Sequence, residues 1–342
     1  MHEALLQQGA ACASLGSALY ADLLGALADD YASGGTAHAL LAGASERPVH
    51  DAVPLRLLGA LHRLALTGAA PEAARHFPTA GGRRGETRVA DCISVLANHA
   101  AYVSEALTQQ VQTNEVGRSI VPLVLGRWLA SIGVDSHAHL EIGASAGLNL
   151  NFARYCADDG AVTMGDPGSS VRFGPEWFAH PPHLPTGTST PFVLRGADPH
   201  PVDVGTADGR ARLLSFIWPD QVERFDRARE ALAIAAANPP QVSRASADTW
   251  LAAELPHLHG SPTMVFHSIV WQYLGTAVQR SVRSTLADEG TRRSKDTPLI
   301  WARMEPAGPV ADVRATVWRG GAPEEFLLAE VGFHGRHLDW RA

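Results

Sequence analysis

Lysine is all but missing from this chain of 342 residues: Lys295 is the only one, and it lies among arginines and polar residues. That excludes a Walker-type phosphate loop, which needs a lysine directly after its glycine turn, and speaks against Schiff-base chemistry. Cysteine is scarce as well. Cys12, Cys92 and Cys156 are far apart, show no CxxC spacing, and two of them fall on apolar helical faces, where they read as buried small hydrophobes. So few thiols fit a reducing cytoplasm. No basic run exists and the net charge is −7, so nothing supplies affinity for a nucleic-acid backbone. Long hydrophobic runs are missing too. The longest, 120–132, contains Pro122 and Arg127, and Met1-His-Glu-Ala has neither the basic start nor the apolar core of a signal peptide. The expectation is a cytoplasmic protein with no membrane or nucleic-acid partner, acting on a small molecule; its oligomeric state stays open.

What is present is a globular balance. Hydrophobic residues make up 46% of the chain, and the length suits one large domain or two modest ones. Up to about residue 131 apolar residues recur at helical spacing: Leu19, Leu23 and Leu27 in one stripe, Leu55, Leu58, His62 and Leu66 in another, Cys92, Leu96, His99, Val103 and Leu107 in a third. His62 and His99 read as core or boundary histidines of those faces. The reading is a helical N-terminal region over 1–135 and an α/β domain over 136–342.

The α/β part is organised around His139-Leu-Glu-Ile-Gly-Ala-Ser-Ala-Gly-Leu-Asn149. It reads as a strand that ends in a glycine turn and enters a helix marked by Leu148, Phe152 and Tyr155. Such a turn gathers backbone N–H groups and the positive end of a helix, which suits a polar or anionic ligand. A cofactor loop, a serine nucleophile elbow and a plain structural turn all fit it. Residues 158–191 are rich in Gly and Pro and read as an insertion with one hairpin, around 162–164 and 171–173, of the kind that serves as a lid or substrate loop. Strands then follow at 192–198, 241–245, 263–267 and 298–303, alternating with helices at 210–237, 249–255 and 272–286. A hairpin of 315–318 and 325–331 turns at Arg319–Pro323. Such a series gives an open doubly wound sheet with ligands at the carboxyl ends of its strands.

Ahead of the first strand, Gln109–Ser119 is a dense polar run leading into an apolar helix. Thr113 or Asn114 suits a helix cap and Glu115 the first turn. Gln112 and Arg118 are left over, and Arg118 has the fork geometry to hold a carboxylate by paired hydrogen bonds. Glu115 and Arg118 are therefore catalytic candidates, and Gln112 and Asn114 substrate contacts. Trp271 and Tyr273, after the fourth strand, fit either a core or a pocket wall.

These residues carry two resemblances. Glu141-Ile-Gly-Ala-Ser-Ala-Gly147, an acidic residue before alternating glycine or small residues, resembles the first motif of class I S-adenosylmethionine-dependent methyltransferases, and the closing hairpin resembles the end of that Rossmann-like fold. End to end, the chain also resembles an uncharacterised bacterial family of unknown function that shares Gln-Thr-Asn-Glu-Val-Gly-Arg, Glu-Ile-Gly-Ala-Ser-Ala-Gly-Leu-Asn, Pro-Val-Asp, Trp218-Pro219 and Phe266-His-Ser268. The methyltransferase resemblance implies roles. Glu141, Gly143, Ser145, Gly147 and Asn149 would face S-adenosylmethionine, and Asp198 would accept hydrogen bonds from its ribose diol. Ser246 or Asp248 would approach the adenine. His267, at the end of the fourth strand, would be the base that takes a proton from the methyl acceptor. Two departures accompany it: Ser145 replaces a middle glycine, and about fifty residues separate the first two strands, the surplus being the Pro-rich insertion.

Rival readings share these residues. Gly143-Ala-Ser-Ala-Gly147 satisfies G-x-S-x-G and resembles the elbow of hormone-sensitive-lipase-type esterases, which would make Ser145 the nucleophile, His334 the base and Asp288 or Asp312 the acid. No His-Gly-Gly-Gly segment precedes it, helices stand where such enzymes have strands, and Glu141 suits a cofactor loop better. Gly143 and Gly147 do not give a dinucleotide G-x-G-x-x-G. Asp198, His200 and Asp203 read as solvated turn residues ahead of a metal site. A ligand-binding protein without catalysis, on a methyltransferase-like fold, is the third class.

Overall fold

Eight α-helices precede the first strand, in keeping with the apolar spacing. In the computed structural model, which describes residues 1–342, the chain forms two units. The first is built from 1–113 and 204–229. It contains α1 (His2–Ser14), α2 (Ala18–Ala32), α3 (Thr36–Leu41), α4 (Val53–Leu66), α5 (Pro71–Ala74), α6 (Arg88–Asn98) and α7 (Ala100–Leu107). Leu19, Leu23 and Leu27 of α2, Leu57, Leu58 and Leu61 of α4, and Val95 and Leu96 of α6 share one core with Trp218. Cys12 and Cys92 are buried in it.

The helix expected over 210–237 is two helices, α9 (Ala207–Ser215) and α10 (Val222–Ala237). The break falls at Trp218-Pro219, since proline has no N–H for an α-helical bond. The gap has a use. Asp220 turns out of the helical path and accepts from Ser17 Oγ at 2.6 Å and from the Leu19 amide at 3.0 Å, so it satisfies the start of α2 from a distant stretch of chain.

The second unit comprises 114–203 and 230–342. In it lie α8 (Ile120–Ser131), α11 (Ala247–Glu254), α12 (Thr276–Gly290) and twelve strands. These are β1 (Ser136–Ile142), β2 (Cys156–Asp158), β3 (Thr163–Gly165), β4 (Arg172–Phe173), β5 (Phe178–His180), β6 (Thr190–Asp198), β7 (Val242–Arg244), β8 (Thr263–Ser268), β9 (Leu299–Ala307), β10 (Val310–Trp318), β11 (Glu324–Val331) and β12 (Leu338–Trp340). The fold is α/β, with a large mixed sheet ordered β5-β12-β11-β10-β9-β8-β1-β6-β7. β7, β6, β1, β8 and β9 are mutually parallel; β9, β10, β11 and β12 pair antiparallel in sequence. The hairpin expected from 315–318 and 325–331 is present, with its first strand starting earlier, at Val310, and β9 joins it through the positive-φ turn at Gly308.

The insertion differs from its expectation. Residues 163–165 and 172–173 do not pair with each other. Both flank β2, β3 antiparallel and β4 parallel, because Cys156–Asp158 leaves the first crossover extended and offers two open edges. β5 joins the far edge of the large sheet through β12. Arg127 of α8, wholly buried, ties the insertion down. It donates to Asp159 Oδ2 at 2.7 Å, to Leu184 O at 2.5 Å and to Pro185 O at 3.4 Å. A buried guanidinium of this kind needs every one of those partners.

Candidate functional site

Among the five parallel strands the order is third, second, first, fourth, fifth in chain sequence, so the direction of winding reverses between β1 and β8. A crevice outside the carboxyl ends of the strands at such a reversal is where an open α/β sheet binds ligands. Glu141-Ile-Gly143 and His267-Ser-Ile-Val270 end there.

The glycine turn is held mostly by its own chain. Gly143 N and Ala144 N donate to Ala197 O at 2.9 and 3.1 Å, Ser145 N to Asp198 Oδ2 at 3.0 Å, Gly147 N to Ala144 O at 2.7 Å, and Leu148 N to Asn114 Oδ1 at 2.8 Å. Those amides are therefore in use. Gly143, Ser145 and Gly147 all have φ between +54° and +73°, a region that costs a serine more than a glycine. A Cβ on Gly143 would come within 2.4 Å of Val270, and one on Gly147 within 2.7 Å of Pro240 and Val242. Internal packing accounts for both glycines. The helix expected after the turn is only a seven-residue 3-10 stretch, Leu148–Arg154. Asn149 and Asn151 are tied to distant partners, Ser119 and the Asn238 carbonyl, and Tyr155 passes into the extended chain before β2, so no long helix dipole develops.

Acidic groups close the two strands beside the turn. Glu141 is 2% exposed, its Oε2 has no hydrogen-bond partner, and its pKa is pushed up to about 8. Burial is the main cause and the Asp198 charge adds to it, against the opposing pull of Arg118. At neutral pH Glu141 is thus mostly a neutral carboxyl, able to donate a proton as well as accept a hydrogen bond. Asp198 accepts from the Ser145 amide and, through Oδ1, from His200 N at 2.8 Å. Asp198-x-His200 is therefore a side-chain-closed turn, and no group of three His, Cys, Asp or Glu side chains is arranged to hold a metal.

The polar run braces this arrangement. The cap expected from Thr113 or Asn114 is made by Glu115, whose Oε1 accepts from Gly117 N at 3.0 Å, because Asn114 is occupied with the turn at Leu148. Ser119 Oγ donates to Asn149 Oδ1 at 2.8 Å. Arg118 donates through Nε to Phe333 O at 3.0 Å and through Nη1 to Ser268 O at 3.3 Å, linking the end of β8 to the loop beyond β11. Gly117 permits that approach, since its Cβ would lie 2.2 Å from His334 O. The run and the turn are thus one hydrogen-bonded assembly. The model of a family described as an uncharacterized protein conserved in bacteria (DUF2332) matches residues 2–340. The chain belongs to that family. No curated protein and no solved structure matches it.

In this family member the remaining candidates are dispersed. Glu141 pairs with Phe266 across β1 and β8, so its side chain shares a face with Phe266 and His139, while His267 points to the opposite face with Val265. There His267 is wholly buried. Its Nδ1 lies 2.6 Å from Glu305 Oε1, Trp271 stacks on it at 5.2 Å, and Nε2 has no partner. Tyr273 is 73% exposed. Ser246 starts α11 and donates to Asp248 Oδ1 at 2.5 Å, which lowers the Asp248 pKa. Gln112 belongs to the first unit. Of the esterase partners, Asp312 pairs with Arg314 and Asp288 accepts from Ser284. Glu305 is the residue that sequence reasoning passed over. Its signal is parity: Arg303 and Glu305 alternate with the buried Ala302 and Met304 on one strand.

No helix is long and apolar enough to cross a membrane.

Proposed function

We propose that the chain is an S-adenosylmethionine-dependent transferase, most simply a methyltransferase, acting on a small molecule, with a methyltransferase-like sheet as its framework. The observation that carries this reading is the pair of acidic ends, Glu141 on β1 and Asp198 on β6, set beside a positive-φ turn next to the winding reversal. Asp198 accepts from the Ser145 and His200 amides at the end of β6, the place where a carboxylate would meet a ribose diol. Ser246 and Asp248, one strand further out after β7, lie on the side where the adenine would extend.

The cofactor would supply the electrophilic methyl group. The protein's part is alignment and exclusion of water. Glu141, neutral at pH 7, can hold a polar group without placing an unpaired charge in the interior. Arg118, anchored by Phe333 and Ser268, directs positive potential at the same spot and is the proposed contact for an acidic substrate group. His267, buried beneath Trp271 on the face of the sheet opposite Glu141, is the proposed proton acceptor through Nε2, and reaching it requires Trp271 and its loop to move.

A second reading is favoured by one observation: Val270 covers Gly143, and Pro240 and Val242 cover Gly147, as a retired site on the same fold would have it. A third, esterase chemistry at Ser145, draws on its φ of +54°. Calorimetry with S-adenosylmethionine and S-adenosylhomocysteine separates the first two, and no heat from either ligand at millimolar concentration would sink the transferase. Asp198→Ala should weaken whatever binding is found by about ten- to a hundredfold, the effect of losing hydrogen bonds to a charged group. A fluorophosphonate probe that leaves Ser145 unlabelled removes the esterase.

A further inference from the structure

One oxygen atom holds the end of β8 in place. Glu305 Oε1, on the neighbouring strand β9, lies 2.6 Å from His267 Nδ1 and accepts from the amides of Val270 at 3.1 Å and Trp271 at 3.2 Å. Between these donors the backbone makes an unusual turn. Ile269 has φ +50°, a left-handed conformation that a β-branched residue pays heavily to adopt, and its amide is held by Met304 O at 2.9 Å. Such a conformation persists only where its surroundings over-determine it. Here the surroundings are Glu305 and the β9 backbone. The result is that Val270 is delivered onto Gly143, close enough that an added Cβ there would sit 2.4 Å from its Cγ2. Trp271 is laid on the His267 ring, with the Arg283 guanidinium 4.8 Å from the Trp271 ring centroid, and Gln279 of α12 donates to the carbonyls of Trp271 and Leu274.

We propose that Glu305 is a positioning residue for this site, which clamps the β8–α12 connection over the glycine turn and fixes His267 with its proton on Nδ1. The chemistry is direct. A carboxylate only accepts, so the imidazole nitrogen facing it donates, and in the neutral ring Nε2 is then left with the lone pair. The same oxygen sets the tautomer and the loop, so that the proton acceptor and the cover of the turn are coupled through a single group. Opening the turn to a ligand requires Val270 to leave Gly143, and the contact to be given up is the one that Glu305 makes with the Val270 and Trp271 amides. This deepens the transferase reading and rests on it only for what the opened turn would receive.

The test needs no ligand. In the wild-type protein, nitrogen NMR of labelled histidine should show His267 protonated at Nδ1 with Nε2 as an acceptor, and protonation at Nε2 alone would overturn the proposal even if no variant folds. Hydrogen exchange should find the Val270 and Trp271 amides at least tenfold faster in Glu305→Gln, with Val265 in the middle of β8 still protected. Unchanged protection at 270 and 271 in both Glu305→Gln and Glu305→Ala would overturn it as well. Val270→Ala, which keeps every donor to Glu305, should leave the His267 tautomer as it is; a changed tautomer there would count against Glu305 as its cause. A protein that gives both expected readouts and yet binds no S-adenosylhomocysteine upholds the clamp and removes the cofactor reading.

Discussion

His62 and His139 are both wholly buried imidazoles of one chain, and their surroundings differ in kind. In the helical unit, His62 has both nitrogens engaged, Nδ1 with Ser215 O at 3.1 Å and Nε2 with Thr79 Oγ1 at 2.7 Å. In the sheet unit, His139 lies against Phe152 and Phe266 and neither nitrogen has a partner. The contrast extends to its neighbours there. Glu141 Oε2, His267 Nε2 and Glu305 Oε2 are buried and unpaired at the carboxyl ends of the central strands or one residue pair below. A buried polar atom without a partner is costly, so these groups, Glu141 on one face of the sheet and His267 with Glu305 on the other, are ones that folding alone does not explain. The helical unit holds its buried imidazole His62 by two partners, although Arg56 Nε, His76 Nδ1, Arg88 Nε and Arg212 Nε there have none, and the sheet unit leaves both nitrogens of His139 without a partner.

That contrast can be broken by substitution. The largest effect should come from the best-satisfied charge: Asp159→Ala strands the buried Arg127 guanidinium and should cost about 3–5 kcal/mol in urea unfolding. His62→Leu leaves the Ser215 carbonyl and the Thr79 hydroxyl unpaired and should cost about 2–4 kcal/mol. Glu141 should make stability fall as pH rises. Its folded pKa of about 8 exceeds the ordinary 4.5, so above 4.5 the unfolded chain loses the proton first and stability declines until the folded group also ionises near 8. His62 and His137, whose pKa values burial pushes down to about 4, act in the opposite sense, and only below about 6.5. Between pH 6.5 and 8 the Glu141 effect should therefore stand alone at about 2 kcal/mol, and Glu141→Gln should flatten the slope. The smallest effect has the reverse sign: His139→Leu removes two unpaired buried nitrogens and should raise stability by about 1 kcal/mol, read as a higher Tm. A loss of several kcal/mol there would mean that His139 has a partner and that the two cores are alike.

Much of the sheet unit was legible in the residues. Alternation and β-branched runs locate β1, β6, β7, β8 and β9, and the turn residues locate the β10–β11 hairpin. What they do not supply is register between strands. Parity within β8 places His267 opposite Phe266, but only the pairing of Glu141 with Phe266 shows that His267 and Glu141 look out of different faces. The same gap hid Glu305, which a reader of Met304-Glu-Pro306 takes for a strand end until β8 is laid beside it. The helix after Gly147 was expected from Leu148, Phe152 and Tyr155. Their spacing is helical, yet the intervening asparagines bond to Ser119 and to the Asn238 carbonyl, far off in sequence, and the segment stops as a 3-10 stretch. Periodicity reports which face is apolar; it is blind to the partners that polar side chains find over long separations, such as Asn114 with Leu148 or Asp220 with Ser17.

The helical unit takes its last pieces from residues 204–229, including Trp218 in its core and Asp220 at the start of α2. During synthesis, therefore, residues 1–113 leave the ribosome with an incomplete core. At about 5–20 residues per second the missing segment follows roughly 6–25 seconds later. Over that interval Tyr20 lacks Trp218 and His62 lacks Phe225, and a chaperone that shields apolar helices has an opening on this chain.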